Sequence, residues 1–266
     1  MMEVDKLSWK PHKEEVAILN QITQSFDAGI FYGIMGPNGS GKTSFIRHLL
    51  RFLELQEGKI QLKNQALQSY SRKALATYIS FVPQNVNLDA TFTVYEMVAM
   101  GRTPYMKRFK PLSEEDKKII EHAMQITHCN ALKDRPFSYL SGGEAQRVLV
   151  ARAIAQDTPC LILDEPISHL DIRYQVEIME NLKYLNEKEG KTIIAILHDI
   201  NLCAAYCKQV VLMKQGEVYA SGLVEEVLTK EHLKAVYDMN FEIYEQMDRK
   251  QKFYMPVTPS WIENNK

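Results

Sequence analysis

Residues 30–52 read IFYGIMGPNGSGKTSFIRHLLRF, and their pattern indicates the fold class of the chain. It starts with a short apolar run at residues 30–35 and passes through a glycine-rich loop at residues 36–43. Apolar residues then recur at helical spacing, at Phe45, Leu49 and Phe52. The pattern predicts a buried strand, a tight loop and a helix in direct succession.

The loop fits the pattern G-x-x-x-x-G-K-[ST], which is typical of phosphate binding. Its glycines let the backbone wrap a phosphate with the N–H groups pointing inward, and the helix that follows offers its positive end. Lys42 would reach the β- and γ-phosphates, and the Thr43 hydroxyl would bind Mg²⁺. A glycine turn with a surface lysine is the alternative, which the flanking strand and helix disfavour. The predicted nucleotide contacts here are Gly36, Pro37, Asn38, Gly39, Ser40, Gly41, Lys42, Thr43 and Ser44.

Two acids follow another predicted strand, Cys160–Leu163. In an open α/β sheet the strand ends point into the ligand crevice, so Asp164 and Glu165 are candidates for chemistry. Asp164 is suited to holding the water shell of Mg²⁺, and Glu165 to polarising an attacking water as a general base. The alternative is an acid pair that only caps the helix after Pro166.

Two more polar residues end predicted strands. His198 follows the apolar run at residues 192–197, and Gln84 follows Pro83 after a strand at residues 78–82. His198 would contact a γ-phosphate and position the water, and Gln84 would ligate Mg²⁺ and sense the γ-phosphate. A capping or buried neutral histidine and a surface glutamine are the alternatives.

The string LSGGEAQR, residues 140–147, is a second glycine-rich turn that opens a helix. A small hydroxyl at Ser141 and the bare amides of Gly142 and Gly143 suit a γ-phosphate that arrives from outside the chain. Together the two turns indicate ATP bound between two copies of the protein. An ordinary helix cap with glycines is the alternative.

In this order and spacing the motifs resemble those of the ATP-binding cassette (ABC) ATPases, over nearly the whole chain. The matching segments are Walker A (residues 36–43), the Q-loop (Gln84), the signature (residues 140–147), Walker B (residues 160–165), the D-loop (Ser168, His169, Leu170 and Asp171) and the switch histidine (His198). The resemblance implies ATP hydrolysis with Mg²⁺.

The resemblance also implies roles for particular residues. The catalytic set is Lys42, Glu165 and His198, and the Mg²⁺ set is Thr43, Gln84 and Asp164. Nucleotide contacts extend to Glu144 and Asp171, and to Trp9, which occupies the place of a tyrosine that stacks on adenine. Glu144 replaces a frequent glutamine, and Ile167 replaces a frequent threonine; neither change removes a catalytic group.

Two further stretches resemble the ATPase subunits of importers for iron-siderophores, haem and vitamin B12. They are TFTVYEMVAMGRTPY at residues 91–105 and DEPISHLDIRYQ at residues 164–175. The resemblance implies a homodimer with shared ATP sites, integral-membrane permease subunits, and a solute-binding protein that acts indirectly. It places the chain peripherally on the cytoplasmic face of the cell membrane.

Composition limits the kinds of partner that we expect the chain to bind. The chain has 266 residues and a formal net charge of -1, so a nucleic-acid partner is not expected. It shows no transmembrane-length apolar run and no signal peptide. Three rivals stay open: a non-transport ABC ATPase acting on DNA or ribosomes, an exporter ATPase, and an ordinary P-loop kinase or GTPase. The last would not account for LSGGEAQR.

The predicted fold is α/β: a P-loop NTPase core with a mainly parallel sheet, an N-terminal antiparallel β layer and an inserted helical subdomain. We expect an ATPase domain at residues 1–240, with the helical subdomain at about 90–155. Residues 241–266 would form an extension packed on the core. Cys203 and Cys207 share a helix face, and inward packing is favoured over half a metal site.

Turn residues and apolar spacing predict further local elements. A turn is expected around residues 10–15, and Ser113 with Asp116 resembles a capping box at the start of a helix. Residues 241–244 and 253–257 are candidate strands that would pair. Apolar residues repeat at helical spacing along one face of a later helix, for which Gly190 is the expected C-terminal cap; they are Ile172, Val176, Met179, Leu182 and Leu185.

Overall fold

A computed structural model describes residues 1–11, 16–84, 91–107, 110–168, 170–246 and 251–257. The chain divides into two compact units: unit 1 contains residues 1–67 and 195–266, and unit 2 contains residues 68–194. His169 of the D-loop match lies outside the described residues, as does most of the expected turn at residues 10–15. Within the described ranges, every helix is too short or too polar to cross a membrane.

The secondary structure alternates between strands and helices along most of the chain. The strands are β1 Met2–Trp9, β2 Leu19–Phe26, β3 Phe31–Met35, β4 Glu57–Leu62, β5 Gln65–Ala66, β6 Ile79–Val82, β7 Cys160–Leu163, β8 Thr192–Ile196, β9 Gln209–Lys214, β10 Glu217–Leu223, β11 Phe241–Gln246 and β12 Gln251–Pro256. The α-helices are α1 Lys42–Leu49, α2 Arg72–Leu75, α3 Val94–Ala99, α4 Glu114–Ile126, α5 Gly142–Ala155, α6 Ile172–Glu189, α7 Ile200–Tyr206, α8 Val224–Val227 and α9 Lys230–Tyr237. Short 3₁₀ turns cover Leu67–Ser69, Met100–Arg102, Asn130–Leu132 and Phe137–Tyr139.

Unit 1 holds an antiparallel sheet and the strand that precedes the glycine loop. The antiparallel sheet has the order β2-β1-β4-β5, which confirms the predicted N-terminal β layer. Strand β3 runs parallel to β9, whose other neighbour is the antiparallel β10. The carboxyl end of β8 adjoins β3, where the Leu197 N–H donates to the Ile34 carbonyl at 3.1 Å. The glycine loop therefore leaves from the end of a strand with neighbours on both sides.

The core of unit 1 holds the start of the loop helix in place. Phe45 of α1 lies 6.1 Å from Phe26 between ring centroids, and Phe26 lies edge-on to Tyr32 at 4.9 Å. Phe45 is buried, as its helical spacing predicted. The same prediction was wrong for Phe52, which is 57% exposed. It lies beyond the end of α1, because the chain leaves the helix through Arg51 in the left-handed region at φ 55°.

Cys203 of α7 and Cys207, which directly follows the helix, pack inward, as the sequence favoured. Both thiols are free and buried. A Cβ built on Gly33 of β3 would lie 2.5 Å from Cys203 Sγ and 3.0 Å from Cys207 Sγ, so the helix approaches the strand as closely as a glycine allows. Burial raises the pKa of the Cys207 thiol. Among the described residues, no cluster of three or more His, Cys, Asp or Glu side chains could hold a metal ion.

Unit 2 combines parallel strands with the predicted helical segment. Strands β6 and β7 run parallel, and the amino end of β8 lies on the other side of β7. All four residues of β7 are buried. Helix α5 packs against α3 and α4, so the described part of the run from Thr93 to Ala155 contains three packed helices, in line with the predicted helical segment.

Helix α6 confirms one prediction and corrects another. It ends at Gly190, which adopts the left-handed conformation at φ 66°, as expected of a C-terminal cap. Ile172 and Val176 were placed on its apolar face, yet they are 78% and 39% exposed. The buried apolar face begins only at Ile178, so helical spacing alone overextended it.

A capped and partly buried ion pair stabilises the helical segment. Ser113 and Asp116 form the capping box at the start of α4, as the sequence suggested. Arg102 Nε donates to Asp116 Oδ1 at 2.8 Å, and Arg102 Nη1 donates to the Ala155 carbonyl at 2.9 Å. The Ser113 hydroxyl and the Arg102 guanidinium hold the pKa of Asp116 below its usual value.

Asp116→Ala is expected to lower the free energy of unfolding by about 2–4 kcal/mol, because it removes a helix cap and leaves Arg102 buried without its carboxylate. A carboxylate whose pKa is lower in the folded protein than in the unfolded chain stabilises the folded state at pH values above its unfolded pKa, which is about 3.9 for aspartate. That contribution disappears as the pH falls through the folded value, so the loss should shrink in acid. Urea unfolding at pH 7 and at pH 3 measures both effects. Glu115→Ala, at an exposed site in the same turn, is the control, and an equal loss there would contradict the assignment.

The C-terminal strands pair as predicted. Strands β11 and β12 form an antiparallel hairpin, with Tyr244 opposite Phe253. Asn201 of α7 receives a hydrogen bond from the Tyr254 N–H at 2.8 Å and donates to the Tyr254 carbonyl at 3.2 Å. The hairpin is thereby attached to α7 within unit 1. The domain boundary at residue 240 and the limits of the helical subdomain stay predictions.

Candidate functional site

The first glycine loop is a tight backbone cradle in unit 1. Gly36, Gly39 and Gly41 all adopt positive φ, at 147°, 77° and 96°. A Cβ on Gly36 would lie 2.1 Å from the Met213 carbonyl oxygen. The turn therefore requires glycine at this position for conformation and for space.

Lys42 lies inside this cradle rather than on the surface. Its side chain is 6% exposed, and Nζ donates to the carbonyls of Gly36 at 2.7 Å and Pro37 at 3.0 Å. The alternative of a glycine turn with a surface lysine is therefore wrong. Ser40 Oγ is also buried, and it has no hydrogen-bond partner in the described part of the chain. The loop thus concentrates a cation and an uncommitted hydroxyl at the start of α1.

Trp9 contacts the helix that follows the loop. Its ring lies edge-on to His48 of α1, with centroids 5.3 Å apart. His48 Nδ1 lies 2.7 Å from the Ser44 carbonyl oxygen, and burial lowers the pKa of His48. Trp9 is partly exposed.

In unit 2, Glu165 contacts both Gln84 and Ser168. Gln84 Nε2 and Ser168 Oγ both donate to Glu165 Oε2, at 2.6 and 2.9 Å. Asp164 is 5% exposed at the end of β7, and its N–H donates to the Val82 carbonyl of β6 at 2.9 Å. The parallel pairing of β6 and β7 thus brings the Q-loop glutamine to the Walker B acids.

The second glycine turn opens α5 in unit 2. Ser141 and Glu144 form a capping box, and Arg135 Nη1 lies 3.4 Å from Glu144 Oε1. Hydrogen bonds from Ser141 lower the pKa of Glu144, so the carboxylate that replaces the frequent glutamine stays ionised. Gly142 is exposed, and a Cβ built on it would have no neighbour within 4 Å among the described residues.

Sequence reasoning did not identify Arg135 as a residue that contacts the second glycine turn. Its Nη2 also donates to the Tyr139 carbonyl at 3.1 Å, so it braces the chain that leads into the second glycine turn. A single arginine in an irregular segment carries no periodic or spacing signal that could have identified it.

The remaining predicted residues lie near helix starts. Asp171 caps α6 by accepting from the Tyr174 N–H at 3.1 Å. His198 is exposed directly after Leu197, and Asp199 caps α7. Helix capping therefore explains in part why polar residues stand at positions 171 and 199.

A protein-family model described as ABC transporter matches residues 19–168. The chain belongs to this family. As an ABC cassette it binds ATP, and the family's import ATP-binding proteins couple ATP hydrolysis to transport. The resemblance that the motifs indicated is therefore confirmed.

Curated relatives of this ABC cassette match over most of their length. The iron(3+)-hydroxamate import ATP-binding protein FhuC of Bacillus subtilis (strain 168) is 35% identical over 85% of this chain and 84% of its own. The ferric enterobactin transport ATP-binding protein FepC of Escherichia coli (strain K12) is 34% identical over 84% and 82%. The petrobactin import ATP-binding protein FpuC of Bacillus anthracis is 34% identical over 96% and 93%.

Solved structures share the fold. A metal-chelate type ABC transporter in an inward-facing conformation superposes with a TM-score of 0.84 at 24% identity, over 98% of both chains. MJ0796, a bacterial ABC transporter cassette with a dimeric structure, gives a TM-score of 0.75 at 29% identity, over 84% of this chain and 99% of its own. The predicted cassette fold is therefore confirmed.

Proposed function

We propose that this chain is the ATP-hydrolysing subunit of an ABC importer for an iron-siderophore, haem or cobalamin-type solute. The observation that carries the proposal is the similarity, over more than four fifths of the chain, to FhuC and FepC, whose names specify iron(3+)-hydroxamate import and ferric enterobactin transport. The two glycine turns supply the ATP chemistry that such a subunit needs.

The first loop binds the nucleotide phosphates in this proposal. Lys42 exchanges its bonds to the Gly36 and Pro37 carbonyls for bonds to the β- and γ-phosphates. The neighbouring backbone N–H groups and the positive end of α1 add to the attraction for anions. Trp9 stacks on the adenine ring. The remaining loop positions, Asn38, Gly39, Ser40, Gly41 and Ser44, line the phosphates.

The proposed hydrolysis uses a hydrated Mg²⁺ ion that oxygen donors of the chain would hold. Magnesium in proteins is bound by one or two carboxylates together with substrate phosphates, rather than by an all-protein cage. Thr43, Gln84 and Asp164 are the residues that would hold it, and Ser40 adds an unpartnered buried hydroxyl in the same loop. The ion would neutralise charge on the phosphates.

Glu165 is the general base of the proposed hydrolysis. It accepts a proton from water while the water oxygen bonds to the γ-phosphorus, and the bond from that phosphorus to the β–γ bridging oxygen breaks to give ADP and phosphate. Gln84 and Ser168 donate to one carboxylate oxygen and fix its direction. His198 contacts the γ-phosphate and positions the same water.

A second copy completes the site. The Ser141–Gly143 turn of one chain meets the γ-phosphate bound by the other, with Glu144 and Asp171 near the same nucleotide. ATP thus closes a homodimer, and loss of the γ-phosphate lets it open. Integral-membrane permease subunits convert the closure into transport, and a solute-binding protein delivers the cargo to them. The chain would lie on the cytoplasmic face of the membrane, with no nucleic-acid partner.

Affinity purification of the chain from detergent-solubilised membranes is expected to recover a multispanning permease. Reconstituted in liposomes with its binding protein, the complex should import a labelled ferric siderophore, haem or cobalamin only when ATP is on the side of this chain. Wild-type complex without ATP is the control. Recovery of ribosomes or DNA, or ATP-driven movement in the opposite direction, would replace the proposal with one of its rivals.

A further inference from the structure

The aromatic ring of Tyr174 occupies the space beside the second signature glycine. A Cβ built on Gly143 would lie 2.6 Å from Tyr174 Cδ2 and 2.9 Å from Cε2 and Cγ. Gly143 is buried, whereas Ser141 and Gly142 in the same turn are exposed. The ring of α6 therefore packs on the backbone of α5 where the signature turn becomes helix.

Further contacts hold Tyr174 in this position. The Arg147 guanidinium carbon lies 5.1 Å from the centroid of the Tyr174 ring, and Arg147 also pairs with Glu177 at 3.6 Å. The Arg147 side chain is 12% exposed, so the ring and the carboxylate receive a partly desolvated cation. The ring thus lies against two successive turns of α5.

The backbone of Tyr174 is fixed to the D-loop. Its N–H donates to Asp171 Oδ1 at 3.1 Å. The next residue, Gln175, donates through Nε2 to the Leu170 carbonyl at 2.9 Å. Ser168, in the same loop, donates to Glu165. The loop that follows the proposed general base therefore makes hydrogen bonds both to that base and to the start of α6, whose Tyr174 ring lies against the signature turn within unit 2.

We infer that Tyr174 is a positioning residue, whose ring holds the Ser141–Gly143 turn in the geometry in which it meets the ATP of a second chain. This inference rests on the proposed function. The exposed half of the turn is free to contact that nucleotide, while the buried half is fixed from behind by the ring. Loss of the ring should therefore affect hydrolysis in the dimer and leave nucleotide binding to a single chain intact.

Tyr174→Ala is expected to lower kcat on the order of ten- to a hundredfold, since a displacement of about 1 Å can cost that much. The affinity of the isolated chain for ATP, measured by calorimetry without Mg²⁺, should not change. Tyr174→Phe keeps the ring and should restore most of the rate. Tyr184→Ala removes an exposed tyrosine from the same helix and is the matched control.

Three results with these variants would overturn the inference, and a fourth applies to a substitute variant. The three are a wild-type kcat for Tyr174→Ala, an equal loss for Tyr184→Ala, or a rate for Tyr174→Phe as low as that of the alanine variant. If Tyr174→Ala does not fold by circular dichroism, Tyr174→Leu fills the space without a planar ring and should still hydrolyse ATP more slowly; a wild-type kcat there also overturns it. If the wild-type chain itself hydrolyses no ATP, the proposed function fails instead, so the two failures are distinguishable.

Discussion

Lys42→Ala is expected to lower kcat/KM for ATP hydrolysis by roughly 10²–10³-fold, the scale of losing one preorganised donor to a developing charge. The physical reason is the position of Lys42 in the loop. Its Nζ is buried among the carbonyls of Gly36 and Pro37, where the proposed function places the phosphates. Release of phosphate by the purified chain, measured over a range of ATP concentrations with Mg²⁺, gives kcat and KM separately.

Lys234→Ala is the matched control for this variant. It makes the same change at an exposed lysine of α9 in the same unit, and hydrolysis should be unaffected. Thermal unfolding of both variants checks that the loop still folds. Full activity in a folded Lys42→Ala protein would remove the phosphate-loop assignment and leave the buried ammonium as a purely structural feature of the turn.

Local patterns predicted much of the fold. The strand, loop and helix around residues 36–43 follow from apolar spacing and glycine content, which act over a few residues. The caps at Ser113 and Gly190 are likewise local, because they need only the nearby backbone groups. Helical spacing failed in two ways. It does not show where a helix ends, so it included Phe52, which lies beyond α1. It also does not show which part of a helix other elements cover, so it included the exposed Ile172.

Contacts between segments that are far apart in the chain could not be predicted from the sequence. Gln84 and Glu165 are 81 residues apart, and their hydrogen bond depends on β6 and β7 being neighbours in a parallel sheet. The rule that strand ends share a crevice placed both residues at one edge without pairing them. Tyr174 lies in one of the matching stretches, but no local pattern predicted its contact, which depends on the approach of α6 to the backbone of Gly143.

Glu165→Gln is expected to slow ATP hydrolysis by about 10²–10⁴-fold, the contribution of a positioned general base. The amide has the shape of the carboxylate, and its carbonyl oxygen can still accept from Gln84 or Ser168, so the site should stay assembled. ATP would then bind and close the homodimer, but the water would have no group to take its proton. Light scattering with ATP and Mg²⁺ should show a mass of twice the chain, which reverts when ATP is removed.

Two further variants distinguish the loss of the general base from a general loss of negative charge. Glu187→Gln makes the same change at an exposed site on α6 and should hydrolyse ATP normally, with no persistent dimer. Adding Lys42→Ala to Glu165→Gln should abolish the trapped dimer, because the phosphates would lose the ammonium group that the loop provides. A Glu165→Gln protein that binds ATP but stays strictly monomeric would contradict the shared site, since the second glycine turn would then have no nucleotide to meet. A dimer that forms without ATP would contradict it as well, because closure would not depend on the γ-phosphate.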